Sequence, residues 1–402
     1  MRIIYVTARL PHGATEAFMI PEIRQLLATG HEVLLIPRSC DGPIIHGNEL
    51  LEYSWRESFW SRRIWRSALR VGMAAPMRTL AAAMVVRGSR SSAVMLKNLA
   101  VAPKALWLSE VATRWHADHM HCHWAGTTAT MTWIASEISG VPWSFTAHRW
   151  DIVENNLLRE KARCASFARF ISEDGLRMAR ALGVEPRAHT TILRMGVALP
   201  QQTPRKTRST GVVLCPARLT EVKGHRRLLA AWRILKNRGR RGELWLAGDG
   251  ELRAELEGLA RELSIGESVR FLGAVPHAEL LKMYEDGAID AVVLASLDLG
   301  RGNHEGIPVA LVEAMSFGIP VVATASGGTA ELVLPGTGFL VPPGDAEAIT
   351  NALDRLLMDE TLRRQLGDAG RRRAVEAHDV VRVGKELVNA FEAARQRTPV
   401  AA

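Results

Sequence analysis

Residues 289–333 have the sequence IDAVVLASLDLGRGNHEGIPVALVEAMSFGIPVVATASGGTAELV, and this stretch decides the fold. Two apolar segments typical of buried strands, 289–295 and 320–323, enclose a polar loop, 296–307, and a short helix. Pro308 suits the first position of that helix. Because free backbone N–H groups and the helix dipole both favour negative charge, a strand, a loop and a helix N-terminus in this order predict an anion-binding site.

Two carboxylates lie in this stretch, Glu305 just before the helix and Glu313 inside it. An unpaired carboxylate is costly to bury, and the neighbours of Glu313 are mostly apolar, so it needs hydrogen-bond donors. Ribose hydroxyls would supply them. The alternative is that Glu313 lies on a solvated helix face.

The segments 305–308 (EGIP), 313–315 (EAM) and 318–322 (GIPVV), with the glycine turn at 327–331, resemble the donor-binding signature of retaining glycosyltransferase family 4. This resemblance implies the GT-B fold, two doubly wound Rossmann-like α/β domains facing each other across a cleft. It also implies that Glu305 is catalytic and contacts the sugar of a nucleotide-sugar, whereas Glu313 contacts the ribose. The remaining implied donor-binding residues of this stretch are Gly306, Ile307, Pro308 and Val309.

Composition further restricts the number of domains and the cellular compartment. The chain has 402 residues, 47% of them hydrophobic, which is enough for two domains. Its four cysteines lack the short spacings of a disulfide framework or a zinc ribbon, which favours a reducing cytoplasm. No apolar segment is long enough for a signal peptide or a membrane span, so neither is expected.

Positive charge is concentrated in the first half. Residues 1–200 contain 24 Lys and Arg against 16 Asp and Glu, most of the excess lying between Tyr53 and Lys104. Residues 53–70, YSWRESFWSRRIWRSALR, alternate tryptophans with arginines at spacings that suggest an amphipathic helix from about Trp55. Such a helix is typical of binding to an anionic membrane surface. The alternatives are a helical insertion, 53–115, packed on its own domain, and single-stranded nucleic acid binding, which nothing else supports.

The N-terminal segment predicts a strand, a helix and a strand over residues 1–38, and therefore a parallel sheet. Gly13 follows the first strand and is either a cleft residue or a simple turn residue. His119, His121 and His123 alternate along a later strand and share one face. With no Asp, Glu or Cys at matching spacing, we expect no metal there, and we expect His123 to face the cleft.

The segment FTAHRWDI, 145–152, resembles another element of the family, in which His148 contacts the transferred sugar or the acceptor. A neutral histidine at a strand's carboxyl end can donate or accept a hydrogen bond, which suits a catalytic role. His148 could instead be an interior residue that caps the next helix. Asp151 is expected to cap that helix.

A polar, proline-containing stretch, 198–209, predicts a linker, so we place the domains at residues 1–200 and 201–379. Arg218 and Lys223 resemble the family's pyrophosphate clamp, Gly248 lies in a glycine turn at the expected nucleotide cleft, and residues 271–284 occupy the base-contacting position. The resemblance also implies that the helix in 380–396 crosses back to the first domain. The tail, 397–402, is expected to fray.

Together these features predict a retaining glycosyltransferase that uses a UDP- or GDP-linked sugar. Residues 10–36, 119–126 and 145–152 look most like bacterial exopolysaccharide and colanic-acid-type enzymes, which implies a glycan or polyprenyl-diphosphate-linked acceptor and peripheral attachment at the inner membrane. Without an Asp-x-Asp pair, neither a metal nor a cofactor is expected. A sugar-nucleotide epimerase, a disaccharide synthase and a non-catalytic scaffold remain alternatives. A nicotinamide-dependent dehydrogenase is disfavoured, because no Gly-x-Gly-x-x-Gly turn follows the first strand.

Overall fold

A computed structural model of the chain describes residues 1–13, 16–44, 47–185, 190–200, 211–300 and 302–397, apart from the side chains of 81–83, 85 and 397. The chain divides into two compact units. The first contains Met1–Gly196 and the chain from Val380 onward, and the second contains Val197–Asp379. Most of the predicted linker, residues 201–210, and the end of the predicted tail, 398–402, lie outside the described residues.

The first unit is built on a parallel sheet of six strands in the order β2-β1-β3-β4-β5-β6. β1 is buried along nearly its whole length because strands of a parallel sheet are covered on both faces. The strands are β1 (Arg2–Thr7), β2 (Glu32–Pro37), β3 (His119–His123), β4 (Trp143–Ala147), β5 (Phe167–Phe170) and β6 (Thr190–Ile192).

Helices connect these strands, and four of them lie between β2 and β3, where the sequence predicts a helical insertion. The helices of the first unit are α1 (Ile20–Ala28), α2 (Arg62–Ala74), α3 (Pro76–Val85), α4 (Ser92–Ala100), α5 (Ala102–Arg114), α6 (Thr127–Ser139), α7 (Arg149–Glu154), α8 (Leu158–Cys164) and α9 (Glu173–Ala181).

The second unit repeats the architecture with strand order β12-β11-β10-β7-β8-β9, again all parallel. Its strands are β7 (Val212–Pro216), β8 (Glu243–Ala247), β9 (Val269–Gly273), β10 (Ala291–Leu294), β11 (Val321–Thr324) and β12 (Phe339–Val341). Its helices are α10 (His225–Asn237), α11 (Arg253–Glu262), α12 (His277–Glu285), α13 (Val309–Ser316), α14 (Thr329–Leu332), α15 (Ala346–Met358) and α16 (Glu360–His378). The predicted pair of doubly wound α/β sheets is therefore confirmed.

The last helix, α17 (Val380–Arg397), belongs to the first unit. Its buried Leu387 and Phe391 join a core that includes Ile23 of α1 and Phe167 of β5. A Cβ on Gly384 would lie 2.6 Å from Gln25 Cγ, so a glycine is required where α17 and α1 meet. Apolar packing of this kind is the main source of helix stability in a folded protein.

Two local predictions are wrong. The basic segment becomes helical only at Arg62, because Ser61 caps α2 by accepting the backbone N–H of Ile64. Trp55 instead lies outside the helix and packs against Trp107, with ring centroids 6.3 Å apart. Pro308 is the residue before α13 rather than its first residue. Among the described residues, no helix is long and apolar enough to cross a bilayer.

Candidate active site

The loop between β10 and α13 places Glu305 at the carboxyl edge of the second sheet. The Glu305 carboxylate forms an ion pair with Lys223 and accepts a hydrogen bond from Ser296 Oγ at 2.7 Å. Lys223 follows β7 and Ser296 follows β10, and these neighbouring strands flank the point where the strand order reverses. Open parallel sheets bind ligands at such a point. The fold thus joins two predicted site residues that are 82 positions apart in sequence.

Two glycines allow the loops of this site to approach each other closely. Gly224 has φ 65°, and a Cβ there would lie 1.9 Å from the carbonyl oxygen of Ala295. Gly327 has φ 53°, and a Cβ there would lie 2.0 Å from the carbonyl oxygen of Glu305. Any other residue would push these loops apart, since both the left-handed backbone and the space demand glycine.

The backbone ahead of α13 offers free hydrogen-bond donors. Within the described residues, the N–H groups of Gly306, Ile307, Val309 and Ala310 meet no acceptor. A Cβ on Gly306 would have no atom within 4 Å, so this loop borders open space. Unpaired N–H groups at a helix N-terminus form a ready binding site for phosphate.

Glu313 is partly buried on α13 and has a protein partner that the sequence did not indicate. Its Oε1 lies 2.7 Å from Nε2 of His277, the first residue of α12. The carboxylate side chain is 12% exposed and the imidazole is 33% exposed. Glu313 therefore does not depend on a ligand for its hydrogen bonding, although its second oxygen can still accept from a hydroxyl.

Arg218 and Gly248 lie on neighbouring loops after β7 and β8. Arg218 is exposed, and no described residue forms an ion pair with its guanidinium. A Cβ on Gly248 would lie 2.0 Å from the carbonyl oxygen of Ala217, so this glycine permits a close approach of two backbones. Gly248 supports the loop that presents Arg218, and the guanidinium is available to an anion.

In the first unit, His148 follows β4 and is only 7% exposed. Its Nε2 lies 3.1 Å from Nδ1 of His123, and its ring packs 4.5 Å from that of Trp124 and 5.3 Å from that of Phe18. The expected cap is confirmed, because Asp151 accepts the backbone N–H of His148 at 2.8 Å. Direct contact of His148 with a sugar stays a prediction.

His123 joins a buried polar network. Its Nε2 lies 2.5 Å from the Tyr5 hydroxyl and 3.3 Å from Glu22 Oε1. Glu22 in turn forms an ion pair of 2.6 Å with Arg169, and these groups are fully buried. Buried charges are stable only when paired and hydrogen-bonded in this way. The network fixes the position of His123, and through it that of His148.

The electrostatics of the network keep the histidines neutral. Burial alone would raise the pKa of Glu22, but the Arg169 guanidinium and His123 outweigh it and hold that pKa well below its usual range. Burial, aided by His123, holds the pKa of His148 well below 6.5. A neutral imidazole at this position can donate or accept one hydrogen bond but carries no charge at neutral pH.

The sequence did not predict that Glu22, a possible metal ligand, would lie beside two of the alternating histidines. Donor atoms of Glu22, His121 and His123 lie within 4.8 Å of one another, all buried. The Arg169 guanidinium occupies one Glu22 oxygen, and the Tyr5 hydroxyl bonds the other. A divalent cation would meet that fixed positive charge, so the cluster suits a hydrogen-bonded network better than a metal.

The sequence indicated the candidate site residues but not their hydrogen-bond and ion-pair partners. Tyr5, Glu22 and Arg169 come from three elements that only the folded sheet brings together, so no local pattern signals them. His277 begins α12 within the predicted base-contacting segment, but only its position in the fold places it beside Glu313. Gly13 has φ 74°, and its N–H donates to the Pro43 carbonyl at 2.8 Å, so it joins the loop after β1 to the loop after β2.

Comparison with known proteins gives matches to both units. Residues 201–373 match the family model described as Glycosyl transferases group 1. The chain is 37% identical over 180 residues to the amylovoran biosynthesis glycosyltransferase AmsK of Erwinia amylovora, covering 44% of this chain and 41% of the relative. It is 36% identical over 172 residues to the putative colanic acid biosynthesis glycosyltransferase WcaL of Escherichia coli K12, covering 42% of each. The chain thus spans about two fifths of the length of these curated relatives.

Solved structures match over nearly the whole chain. The structure of Anabaena Alr3699/HepE in complex with UDP and glucose has a TM-score of 0.71 and 18% identity, covering 98% of this chain and all of that one. Sucrose-phosphate synthase (tll1590) from Thermosynechococcus elongatus has a TM-score of 0.72 and 20% identity, covering 98% of both. At this level of identity the likeness establishes the fold alone, and that fold is the predicted one.

Proposed function

We propose that this chain, whose residues 201–373 form a domain of the Glycosyl transferases group 1 family, is a glycosyltransferase that builds a bacterial exopolysaccharide or surface glycan. A nucleotide-sugar, UDP- or GDP-linked, is the proposed donor. The observation that carries this proposal is the pairing of Lys223 with Glu305 beside free N–H groups at the start of α13. Cations and unpaired donors around one point suit a diphosphate.

The proposed reaction retains the configuration of the sugar. The bond between the anomeric carbon and the diphosphate oxygen breaks, and the acceptor oxygen bonds that carbon on the same face. The departing phosphate takes the acceptor's proton, so no enzyme nucleophile is needed. Arg218, Lys223 and the N–H groups of Gly306 and Ile307 stabilise the charge that develops on the leaving group.

The contacts of the site each have a role in this scheme. Glu305 orients the sugar hydroxyls while it holds Lys223 in place, and Glu313, steadied by His277, accepts from the ribose. In the first unit, the proposed acceptor-binding unit, neutral His148 positions the reacting hydroxyl. We propose that neither a metal nor a cofactor takes part.

The proposed acceptor is a lipid-linked glycan, with the enzyme held peripherally at the cytoplasmic face of the inner membrane. Support comes from exposed apolar side chains that repeat along α2 at Trp65, Leu69 and Met73. Exposed arginines flank them, and among the described residues Arg62 and Arg66 have no acidic partner. Apolar side chains rimmed by cations suit an anionic lipid surface.

Donor binding tests the proposal. Calorimetry with a panel of UDP-, GDP- and ADP-sugars should find one donor that binds wild type, with at least tenfold weaker binding to Glu305→Ala. Glu267→Ala, which removes an exposed carboxylate of the same unit, is the matched control and should bind normally. If no nucleotide-sugar binds at millimolar concentration, the transferase proposal fails and a scaffold function takes its place.

A further inference from the structure

Two cavities of the first unit share one wall and are not used by the donor site. One of about 610 Å³ lies among α4, α5 and the segment before α2, and one of about 500 Å³ lies beside Trp124 and Trp150. Arg38, Thr127 and Glu154 line both. Residues that follow β1, β2 and β3 contribute to these walls, and the strand order reverses between β1 and β3. The cavities therefore lie where an open parallel sheet binds its ligands.

Two cations, Arg38 and Lys104, line the larger cavity. Arg38 Nε is buried without an acceptor, and no described residue bonds its guanidinium. Lys104 is 1% exposed and donates to the carbonyls of Arg38 and Glu57 at 3.0 and 2.7 Å. Within the described chain, no carboxylate forms an ion pair with Lys104. A half-buried guanidinium and a buried ammonium group at one cavity, neither in an ion pair with a described carboxylate, suit an anionic ligand.

The N-terminus of α6 faces the same space. Thr127 and Thr128 line the cavities, and among the described residues their backbone N–H groups have no acceptor. Lys161 donates to the carbonyls of Ala125 and Gly126 at 2.7 and 2.8 Å, which fixes the turn that precedes the helix. Free donors at the start of a thirteen-residue helix add to the field of the two cations.

Two carboxylates also line the larger cavity. Glu154 lies 3.5 Å from Lys97 and would be 2.9 Å from a Cβ on Gly126, so it sits near the start of α6. Asp41 bonds the Ser39 hydroxyl and is exposed. Glu154 lines both cavities, and its negative charge should oppose the binding of an anion there. Replacing it by a neutral residue therefore tests the site.

An apolar path leads out of the larger cavity. Phe59 and Trp60 line it, and Trp60 is 80% exposed. The Phe59 ring lies 5.8 Å from that of Trp65, which begins the exposed apolar row on α2. A ligand with a phosphate at one end and a hydrocarbon chain at the other fits a cavity that is cationic inside and apolar at its exit.

We propose that Arg38 and Thr127 of the shared wall, together with Lys104 of the larger cavity, bind the diphosphate of an amphiphilic lipid, whose chain leaves past Phe59 and Trp60. This inference rests on the proposed function, because it makes the cavities the binding site for the lipid-linked acceptor. The second cavity, walled by Trp124 and Trp150, then takes the first sugar beyond the diphosphate, since aromatic faces stack on sugar rings.

Binding of farnesyl diphosphate, inorganic pyrophosphate and farnesol to the full chain tests the inference. Farnesyl diphosphate should bind at least tenfold tighter than either fragment. Arg38→Gln should lose at least tenfold, Glu154→Gln should gain at least threefold, and Trp60→Ala should lose affinity for farnesyl diphosphate but not for pyrophosphate. Equal affinities across these variants would overturn the proposal, as would tight binding of farnesol alone.

A substitute variant and a labelling experiment complete the test. Arg90→Gln, which removes an exposed cation of the smaller cavity, replaces Arg38→Gln if that variant does not fold, and it should weaken binding at least threefold. Farnesyl diphosphate should also slow iodoacetamide labelling of Cys40, which lines the larger cavity, but not of exposed Cys164. Unchanged labelling of Cys40 would contradict the assignment.

The donor site is tested in the same variants. Arg218→Gln should leave farnesyl diphosphate binding unchanged, and loss of binding there would move the lipid diphosphate to the donor site and overturn the inference. Arg38→Gln should leave nucleotide-sugar affinity unchanged. If no nucleotide-sugar binds but farnesyl diphosphate does so through Arg38, the proposed function fails and this inference stands; the opposite pattern refutes the inference alone.

Discussion

The hydrogen bond between His277 and Glu313 gives the proposed ribose site a second residue that sequence patterns did not reveal. Replacing His277 by Ala leaves the partly buried Glu313 carboxylate without that donor, and a desolvated charge without its partner is costly. We expect nucleotide-sugar affinity to fall by about tenfold, roughly 1.4 kcal/mol. Titration calorimetry measures it, with His116→Ala of the first unit as control. Unchanged affinity would remove His277 from the site.

The buried environment of His148 makes a prediction about pH. Burial and the neighbouring His123 hold the pKa of His148 well below 6.5, so the ring stays neutral between pH 6 and 8. His148→Gln should lower kcat by about tenfold or more through lost positioning, while the wild-type pH profile should show no inflection near 6.5 that the variant lacks. Such an inflection, present only in wild type, would mean that a charged His148 takes part.

At the scale of single elements, the apolar runs 289–295 and 320–323 and the glycine turn at 327–331 carry strong local signals. The sequence therefore placed β10 and β11 to within a few residues. The start of α2 could not be predicted, because the tryptophans and arginines before Ser61 continue a helix-like spacing. Only the fold shows that Trp55 packs against Trp107 outside the helix.

The apolar row on α2 predicts binding to anionic membranes. Replacing Leu69 and Met73 by Gln should reduce sedimentation with phosphatidylglycerol vesicles by about tenfold, since both side chains are largely exposed and their burial in lipid is lost. Met358→Gln, an exposed methionine of the second unit, is the matched control. Binding should also weaken with added salt. If the double variant sediments like wild type, α2 is not the contact surface.

At the scale of the whole molecule, the topology could be predicted but the long-range polar contacts could not. Two alternating α/β halves indicate two parallel sheets, and the resemblance of residues 305–308 and 313–315 to a known signature predicted where the donor binds. The network of Tyr5, Glu22 and Arg169 depends on which strands become neighbours, so no spacing along the chain reveals it. No spacing along the chain reveals that Arg38 and Lys104 line one cavity either, because Arg38 follows β2 and Lys104 lies on α5.

The buried histidines of the first unit predict sensitivity of the whole protein to acid. The pKa values of His119, His121, His123 and His148 are all lowered by burial, that of His119 to about 3. The unfolded chain therefore binds more protons below pH 6.5, so stability falls as pH falls. Asp151 opposes this, because burial raises its pKa to about 7. Together these five groups should change the stability by at most about 4 kcal/mol per pH unit.

Urea unfolding between pH 7 and pH 5 measures this loss. His119→Asn removes one neutral histidine and should reduce the slope of stability against pH by about 1.4 kcal/mol per pH unit. A free energy of unfolding that does not change between pH 7 and pH 5 would show that these histidines take up protons in the folded protein.

The central claim is that the loop before α13, with Lys223 and Glu305, binds a nucleotide-sugar and activates its leaving group. The most direct measurement is proton NMR of slow donor hydrolysis by wild type and Glu305→Ala, with the donor that calorimetry selects. The account predicts release of the nucleoside diphosphate together with a sugar that first appears in the donor's own anomeric configuration, and loss of both in the variant. Hydrolysis that continues unchanged without Glu305, or a product that first appears inverted, would contradict it.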